Sequence, residues 1–383
     1  MIGSQQQMKT YNHLLVPHPF PYQGSKRGIA KDILPHVPSD VQCLIEPFCG
    51  AGALSLAVAA NGLAKRFVLN DVSEPLMTLW VEILERPHLL ADHYEALWLA
   101  QEPDRKTYFF KIRDEFNRSH QPHHLLYLLA RIVKGAVRYS SDGLFNQSAD
   151  NRRSGMKPNT MRLNLLGVSR LLAQKTKVHA VGFAEIAGEA KAKDLVYMDP
   201  PYQGTSFTRD RRYLNGLTYD DFVDALIEMN EKDISYIISY DGITGDKTHG
   251  KPLPEHLALK HLYIHAGRSS QATLLGGNAE TIESLYLSSA LVERLAGECS
   301  KLHGEAPSVS IDPNPDDPKG SAMIIRHGQA TAQTYVRWML FQADRLMKGY
   351  TLGADNDTGK TLKSAVPGFG KVLDTLTRRA PPT

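Results

Sequence analysis

The sequence predicts an α/β chain on a doubly wound sheet, mostly parallel with an antiparallel last strand. First, an apolar run, VQCLIEPF (residues 41–48), enters a glycine turn and a small-residue helix, CGAGALSLAVAA; a second run, RFVLND, then ends on Asp71. Second, strand and helix patterns alternate again later in the chain, from KVHAVGF to SYIISY. Third, a basic, Asn-, Ser- and Gly-rich segment separates the two halves. Strands alternating with helices on both sides of an insertion favour a parallel sheet covered on both faces.

The bounds agree with a folded, water-exposed chain. Its 383 residues are 42% hydrophobic and 22% charged, ample for a core and consistent with about two domains. No apolar run approaches the ~18 residues of a membrane span, and MIGSQQQMKT lacks the basic start and apolar stretch of a secretory signal, so the expected location is the cytoplasm. Cys43, Cys49 and Cys299 form no Cys-x-x-Cys and no paired ligand spacing, which argues against a disulfide framework or a structural metal. No metal is expected.

Taken in order, VQCLIEPF and RFVLND are strands around the helix of CGAGALSLAVAA. From Leu79 to Leu129 the apolar spacing becomes helical, as in LLYLLARIV. Arg131 to Lys177 follows with ten Lys/Arg against Asp142 and Asp150, a balance of +8 where the whole chain carries +3. Such a segment is either a polyanion-facing surface or a solvated basic face. Strands return at KVHAVGF and DLVYMD, then the helix YDDFVDALIEMN, the strand SYIISY, and a final pair, HLYIHAG and TIESLYLS, turned into a hairpin by Gly267 to Asn278. From about Glu305, VSIDPNPDDPKG reads as a linker, with an amphipathic helix around TYVRWMLFQADRLM and a polar tail beyond. The expected domain plan is 11–107 and 178–296 as two parts of one domain, 108–177 as an insert, 297–320 as linker and 321–383 as an extension of open role.

Four motifs carry chemistry. EPFCGAG (46–52) puts Gly50 and Gly52 where a backbone can approach a ligand at a helix mouth, though the same turn serves as a tight strand-to-helix connection. Asp71, about twenty residues on, is placed to hold both hydroxyls of a ribose, or else to cap the helix of VSEPLMTLW. PYQGSKR (21–27) is either a turn feeding the helix GIAKDIL or a site where Lys26 meets a cofactor carboxylate. The most specific is Asp199-Pro200-Pro201-Tyr202, which closes the strand DLVYM. Asp-Pro pairs begin turns, but a turn does not need Tyr202. The exocyclic amino group of a nucleobase needs all four. Asp199 accepts one of its hydrogens, a carbonyl in the rigid Pro200-Pro201 backbone accepts the other, and Tyr202 stacks on the base outside the duplex.

In this order, PYQGSK, EPFCGAG, LND, a basic insert and DPPY, the chain resembles the Dam-type (alpha group) DNA adenine-N6 methyltransferases, from about Pro19 to about Ser288, with softer echoes in YFFKIRDEFNRS and GGNAETIESLYL. The resemblance implies a Rossmann-like S-adenosylmethionine-dependent methyltransferase sheet with an inserted helical DNA-recognition subdomain. The implied reaction is site-specific methylation of the adenine amino nitrogen in double-stranded DNA. Cofactor contacts would fall on Tyr22, Lys26, the turn residues Glu46, Phe48, Gly50 and Gly52, Asp71, and Asp199. Position 22 is commonly tryptophan in the family, and tyrosine keeps a stacking face. The recognition region corresponds to roughly Tyr108 to Leu165, where RIVKGAVRYSSDGLFNQSADNRR departs from the family's RYGYNGLCRYN, so a GATC target is not implied. Arg138, Arg152, Arg153 and Lys157 are the candidates for phosphate or base contacts. Cytosine-N4 methylation and a catalytically silent DNA-binding protein are the rival readings. A fused nuclease finds no acidic pair with Glu-x-Lys after residue 297. A cognate restriction endonuclease is left open as a partner, and a monomer or weak dimer is the expected state.

Overall fold

The computed structural model of the protein describes residues 16–200, 217–244, 247–249, 252–268, 280–301, 309–312 and 322–325. The chain divides into two compact units, Met1–Gly297 and Glu298–Thr383. In the first, the strands β1 (Val41–Glu46), β2 (Ala64–Asn70), β3 (Thr176–His179), β4 (Leu195–Met198), β5 (Tyr236–Thr244), β6 (Lys247–His249), β7 (Lys260–Arg268) and β8 (Glu280–Leu287) form one sheet. Its order is β3-β2-β1-β4-β5-β8-β7, with β6 beside β5. Strands β1 to β5 pair in parallel, and β8 runs against both β5 and β7. The last strand of this sheet, β8, therefore enters it reversed, between β5 and β7. The strand order turns back between β1 and β4, which opens a crevice at the carboxyl ends of the parallel strands.

Period-two alternation gives the sheet two apolar faces. Leu44, Phe67, Leu69, Leu195, Tyr197 and Ile237 share one core with the helices α1 (Ala30–Ile33), α2 (Ala53–Ala60), α3 (Glu74–Glu85), α4 (Pro87–Ala100), α5 (Arg105–Ser119), α6 (Pro122–Arg131) and α7 (Pro158–Leu172). The intervening Cys43, Ile45, Val68, Val196, Met198 and Ile238 face the other way, onto α8 (Phe183–Gly188) and α9 (Tyr219–Glu231). Helix α9 starts on a capping box, with the Thr218 hydroxyl accepting from the Asp221 amide and the Asp221 carboxylate accepting from the Thr218 amide. After β8, α10 (Ser289–Lys301) adds Leu291 to the first core. No helix among the described residues is long and apolar enough to cross a membrane.

One feature sharpens the sequence reading and one differs from it. Helix α7 lies inside the basic segment, where the resemblance implied a helical insert but the residue pattern marked no particular helix. Its Arg and Asn residues mask a buried stripe, Met161, Leu165, Val168 and Leu172, at helical spacing. In the second unit, Val309–Asp312 (β9), inside the stretch read as linker, pairs antiparallel with Ala322–Ile325 (β10), where alternating β-branched residues outweigh the prolines that follow. The helix expected around TYVRWMLFQADRLM lies outside the described residues.

Candidate active site

The crevice is built from the ends of β1, β2 and β4. Beyond β1 the chain makes its glycine turn with Gly50 at φ +47° and Gly52 at φ +60°, both in the left-handed region open to glycine. Space requires glycine as well. A β-carbon on Gly50 would lie 3.0 Å from two Tyr22 ring carbons, and one on Gly52 would lie 2.9 Å from the Trp80 ring. Trp80, fully buried on α3, donates its indole N–H to the Gly50 carbonyl at 2.8 Å and fixes the turn from behind. Glu46 is spent on the same connection, because its carboxylate accepts from the amide and the hydroxyl of Ser55 on α2. Burial pushes its carboxyl up to about 8 against those bonds, so Glu46 is mostly neutral at pH 7. Phe48 stacks on Phe183, with ring centroids 5.2 Å apart.

At the end of β2, Asn70 ties three segments together. It donates to the carbonyls of Pro47 and Val181, both at 3.0 Å, and accepts from the Val181 amide. Asp71, next in sequence, is buried at 8% exposure and accepts from the amides of Gly50 (3.3 Å) and Ser73 (3.1 Å). Ser73, not Asp71, is the N-cap of α3. Burial raises the Asp71 carboxyl to about 6. Beside it opens a pocket lined by Tyr22, Asp71, Ser73, Leu125, Val137 and Tyr139 among others. The sequence reading missed Tyr139 here; nothing in its local pattern signals that it returns to β2.

Lys26 lies 8% exposed over the end of β4, with its ammonium 2.8 Å from Asp199 Oδ1, 4.0 Å from Glu283 Oε2 and 3.4 Å from the Gly24 carbonyl. The partners found for it are thus protein groups, not an open cavity awaiting a carboxylate. Burial opposes its charge, but Asp199 and Glu283 outweigh that and hold Lys26 above its ordinary value. Burial likewise pushes the Asp199 carboxyl up, more than Lys26 pulls it down, and Glu283 adds to the rise. Pro200 is buried; Pro201 and Tyr202 lie outside the described residues.

The basic segment joins this crevice through backbone. Gly135, at φ +62°, accepts at its carbonyl from the Gln23 amide, and a β-carbon there would lie 2.4 Å from the Pro21 oxygen. A short hairpin follows, with Tyr139 opposite Phe145 and the Asn146 amide donating to Arg138 O. Asn117 on α5 holds both backbone groups of Phe145, at 2.8 and 3.2 Å. Arg138, Arg152, Arg153 and Lys157 are all exposed. Arg152 makes a two-point pair with the buried Asp150, at 3.0 and 3.2 Å, while Arg153 reaches the same carboxylate only at 3.9 Å. Two other basic residues are engaged as well. Arg162 pairs with Asp92 and Glu95, and the buried Arg131 donates to the Arg153 carbonyl. The composition of the segment therefore overstates its free positive charge.

The arrangement is an acid at each of two strand ends, a glycine turn between them and a basic hairpin alongside, which suits a nucleoside-bearing cofactor and a polyanionic substrate. Comparison with known proteins gives the same direction. The model of the "D12 class N6 adenine-specific DNA methyltransferase" family matches residues 22–274. The chain is 28% identical over 243 residues to a DNA adenine methylase of Vibrio cholerae (strain O395), covering 61% of this chain and 82% of that protein. It is 28% identical over 191 residues to the DNA adenine methylase of Escherichia coli K12 (49% and 65%) and 29% identical over 191 residues to that of Serratia marcescens (49% and 67%). The glycine turn, Asp71, the basic segment and Asp199 all fall within the matched residues 22–274, and the chain belongs to the D12 class N6 adenine-specific DNA methyltransferases.

Proposed function

We propose that the protein methylates the amino nitrogen of an adenine turned out of double-stranded DNA, using S-adenosylmethionine held at the ends of β1 and β2. Adenine-specific methylation of DNA follows from the family, which also implies S-adenosylmethionine as donor. The residues fit that group. Asp71 offers a carboxylate beside a pocket with aromatic and aliphatic walls, and the Gly50-Gly52 turn has no side chain that would fill the approach. When bound, S-adenosylmethionine would supply a methyl group, its bond to sulfur breaking as the bond to the adenine nitrogen forms, with one amino hydrogen then lost to water as a proton.

The chain's own residues do the rest. Asp71 accepts from ribose hydroxyls, and Tyr22 packs over the glycine turn. The adenine lone pair is delocalised into its ring, so the amino group is a weak nucleophile. Asp199 accepts one amino hydrogen, the Pro200-Pro201 backbone accepts the other, and together they favour a nitrogen closer to tetrahedral. Lys26 fixes the Asp199 carboxylate at one oxygen and leaves the other for the amine. Tyr202 stacks on the base, while Arg138, Arg153, Lys157 and, once released by Asp150, Arg152 meet the phosphates. Alignment and a polar cradle are what such a transfer asks of a protein. All the named groups come from one chain, so the reading needs no second subunit.

The observation carrying this reading is the Lys26–Asp199 pair at the crevice, a half-buried acid held by a buried lysine at the end of β4, the strand beside β1. Two variants test it. Asp199→Ala should abolish methylation, scored by sequencing methylated bases in DNA from expressing cells, yet still extrude a 2-aminopurine placed at the target. Tyr202→Ala should lose ~1 to 3 kcal/mol of base stacking and alter the emission of the extruded base. Parental methylation rates in both would remove the catalytic role of the motif.

A further inference from the structure

Glu283 lies in the softer echo GGNAETIESLYL, outside the four motifs that carry chemistry, yet the fold delivers it to the site. Strand β8 runs opposite to β4 and β5, so its first residues lie at the same edge of the sheet as the last residues of β4. Glu283, paired with Gly242 of β5 and Ile264 of β7, sits near that edge. Side-chain alternation puts it on the face of Leu285 and Leu287, which is also the face of Leu195 and Tyr197, and hence of Asp199 two residues further on. Lys26 descends on that face between the two acids, 2.8 Å from Asp199 and 4.0 Å from Glu283, with side-chain exposures of 8%, 20% and 18% for the three.

Building on the role proposed for Asp199, we infer that Glu283 is a positioning residue for methyl transfer. It draws the Lys26 ammonium toward β8, so that Lys26 holds only one oxygen of Asp199 and the other remains a strong acceptor for the adenine amine. Charge balance explains why a second acid is needed. A lysine paired with Asp199 alone in a poorly solvated site would neutralise the carboxylate that the amine must meet. With Glu283 present, the three groups carry a net negative charge, which complements the positive charge gained by the nitrogen as it takes the methyl group.

Among the described residues, the ionisable groups facing Asp199 are Lys26, Glu283, Tyr197 on its own strand and Glu46 at the end of β1. Tyr197 is held far above its ordinary value by burial and neighbouring acids, and Glu46 is mostly neutral below about pH 8. In the acid range, Glu283 is therefore the neighbour whose charge raises Asp199, and its removal should lower the Asp199 carboxyl.

The test compares Glu283→Gln, Glu283→Asp and Asp199→Asn in the full chain, with steady-state methylation followed across pH at saturating cofactor and DNA. Glu283→Gln should lower kcat about tenfold with the KM for S-adenosylmethionine and for DNA within about twofold of the parent. Its acid limb in kcat should move to lower pH, because Asp199 then ionises more readily, and Glu283→Asp should recover part of the rate. Unfolding midpoints near the parent's would separate this from a loss of fold. If Asp199→Asn is inactive but Glu283→Gln keeps the parental rate and acid limb, the role of Glu283 is overturned and that of Asp199 stands. If Asp199→Asn is itself fully active, both fall. A rise in KM alone would make Glu283 a binding contact and would also overturn the proposal.

Discussion

Replacing Gly52 by alanine probes the site's foundation, and the structure supplies an internal control. Gly52 sits at φ +60° with Trp80 carbons 2.9 and 3.0 Å from where a β-carbon would be; Gly62, at the far end of α2, has φ +64° and nothing within 4 Å. Both substitutions carry the left-handed backbone cost of roughly 1 to 2 kcal/mol. Only Gly52→Ala must also displace Trp80, which is fully buried and tied to Gly50 O, so overpacking adds roughly 1 to 3 kcal/mol. Gly62→Ala should thus lose about 1 to 2 kcal/mol and Gly52→Ala about 2 to 5. Urea unfolding, followed by far-UV circular dichroism on both variants and the parent, measures the difference. Because the ring that must move anchors the Gly50 carbonyl, Gly52→Ala should also bind S-adenosylmethionine more weakly by calorimetry, while Gly62→Ala should not. Equal losses of stability, within about 0.5 kcal/mol, would refute the claim that Trp80 forms a rigid wall behind the turn.

Three further outcomes are expected. Asp71→Ala should weaken S-adenosylmethionine binding by roughly 1.5 to 3 kcal/mol, and parental affinity should fall as pH drops through about 6, where the carboxylate takes up its proton; calorimetry at several pH values reads both. Glu46 keeps its proton in the folded state up to about pH 8 but loses it near 4.5 when unfolded, so stability falls as pH rises between those values. Glu46→Gln should remove that slope, leaving the variant more stable than the parent above pH 8 by up to roughly 5 kcal/mol in thermal unfolding of the free protein. Neutralising Arg152 and Arg153 together should lower the salt dependence of DNA binding by up to about two phosphate contacts without changing cofactor affinity. Arg153→Ala should account for more of that change than Arg152→Ala, because Asp150 already holds Arg152; an unchanged salt slope would make the pair a solvated surface.

The strands around the crevice were legible because each is a short apolar run ending in a polar residue with a job at the strand's end: Glu46, Asp71 and Asp199. The glycine turn was legible for the same reason, as two glycines four and six residues past that first acid fit few other structures. Local pattern failed where partners are distant in sequence. PYQGSKR reads as a turn or as a place for Lys26 to meet a cofactor carboxylate, and its pattern gives no sign of the two protein carboxylates that reach Lys26 from the end of β4 and from β8, more than 170 residues later. Glu283 looked like an ordinary strand residue because only the reversal of β8 brings it to the site. The bounds of helix α7 were hidden by its polar solvent face, and the count of basic residues could not distinguish Arg153, exposed, from Arg131, buried under the same loop.

The single core shared by the sheet and α3 to α7 bears on how the insert proposed to read DNA could be exchanged. Exchanging the whole of 108–177 for a relative's segment would cut through Phe109, Phe116, Leu128 and Leu165, all packed in that core, and the chimera would have to repack around foreign shapes. The hairpin offers a smaller graft. Asn117 grips the backbone of Phe145, and Tyr139 and Phe145 meet edge to face at 6.0 Å, so the frame is set before the tip begins. Ser140 to Leu144 can then be randomised as a short cassette on a fixed base, with the cofactor end of the molecule left intact.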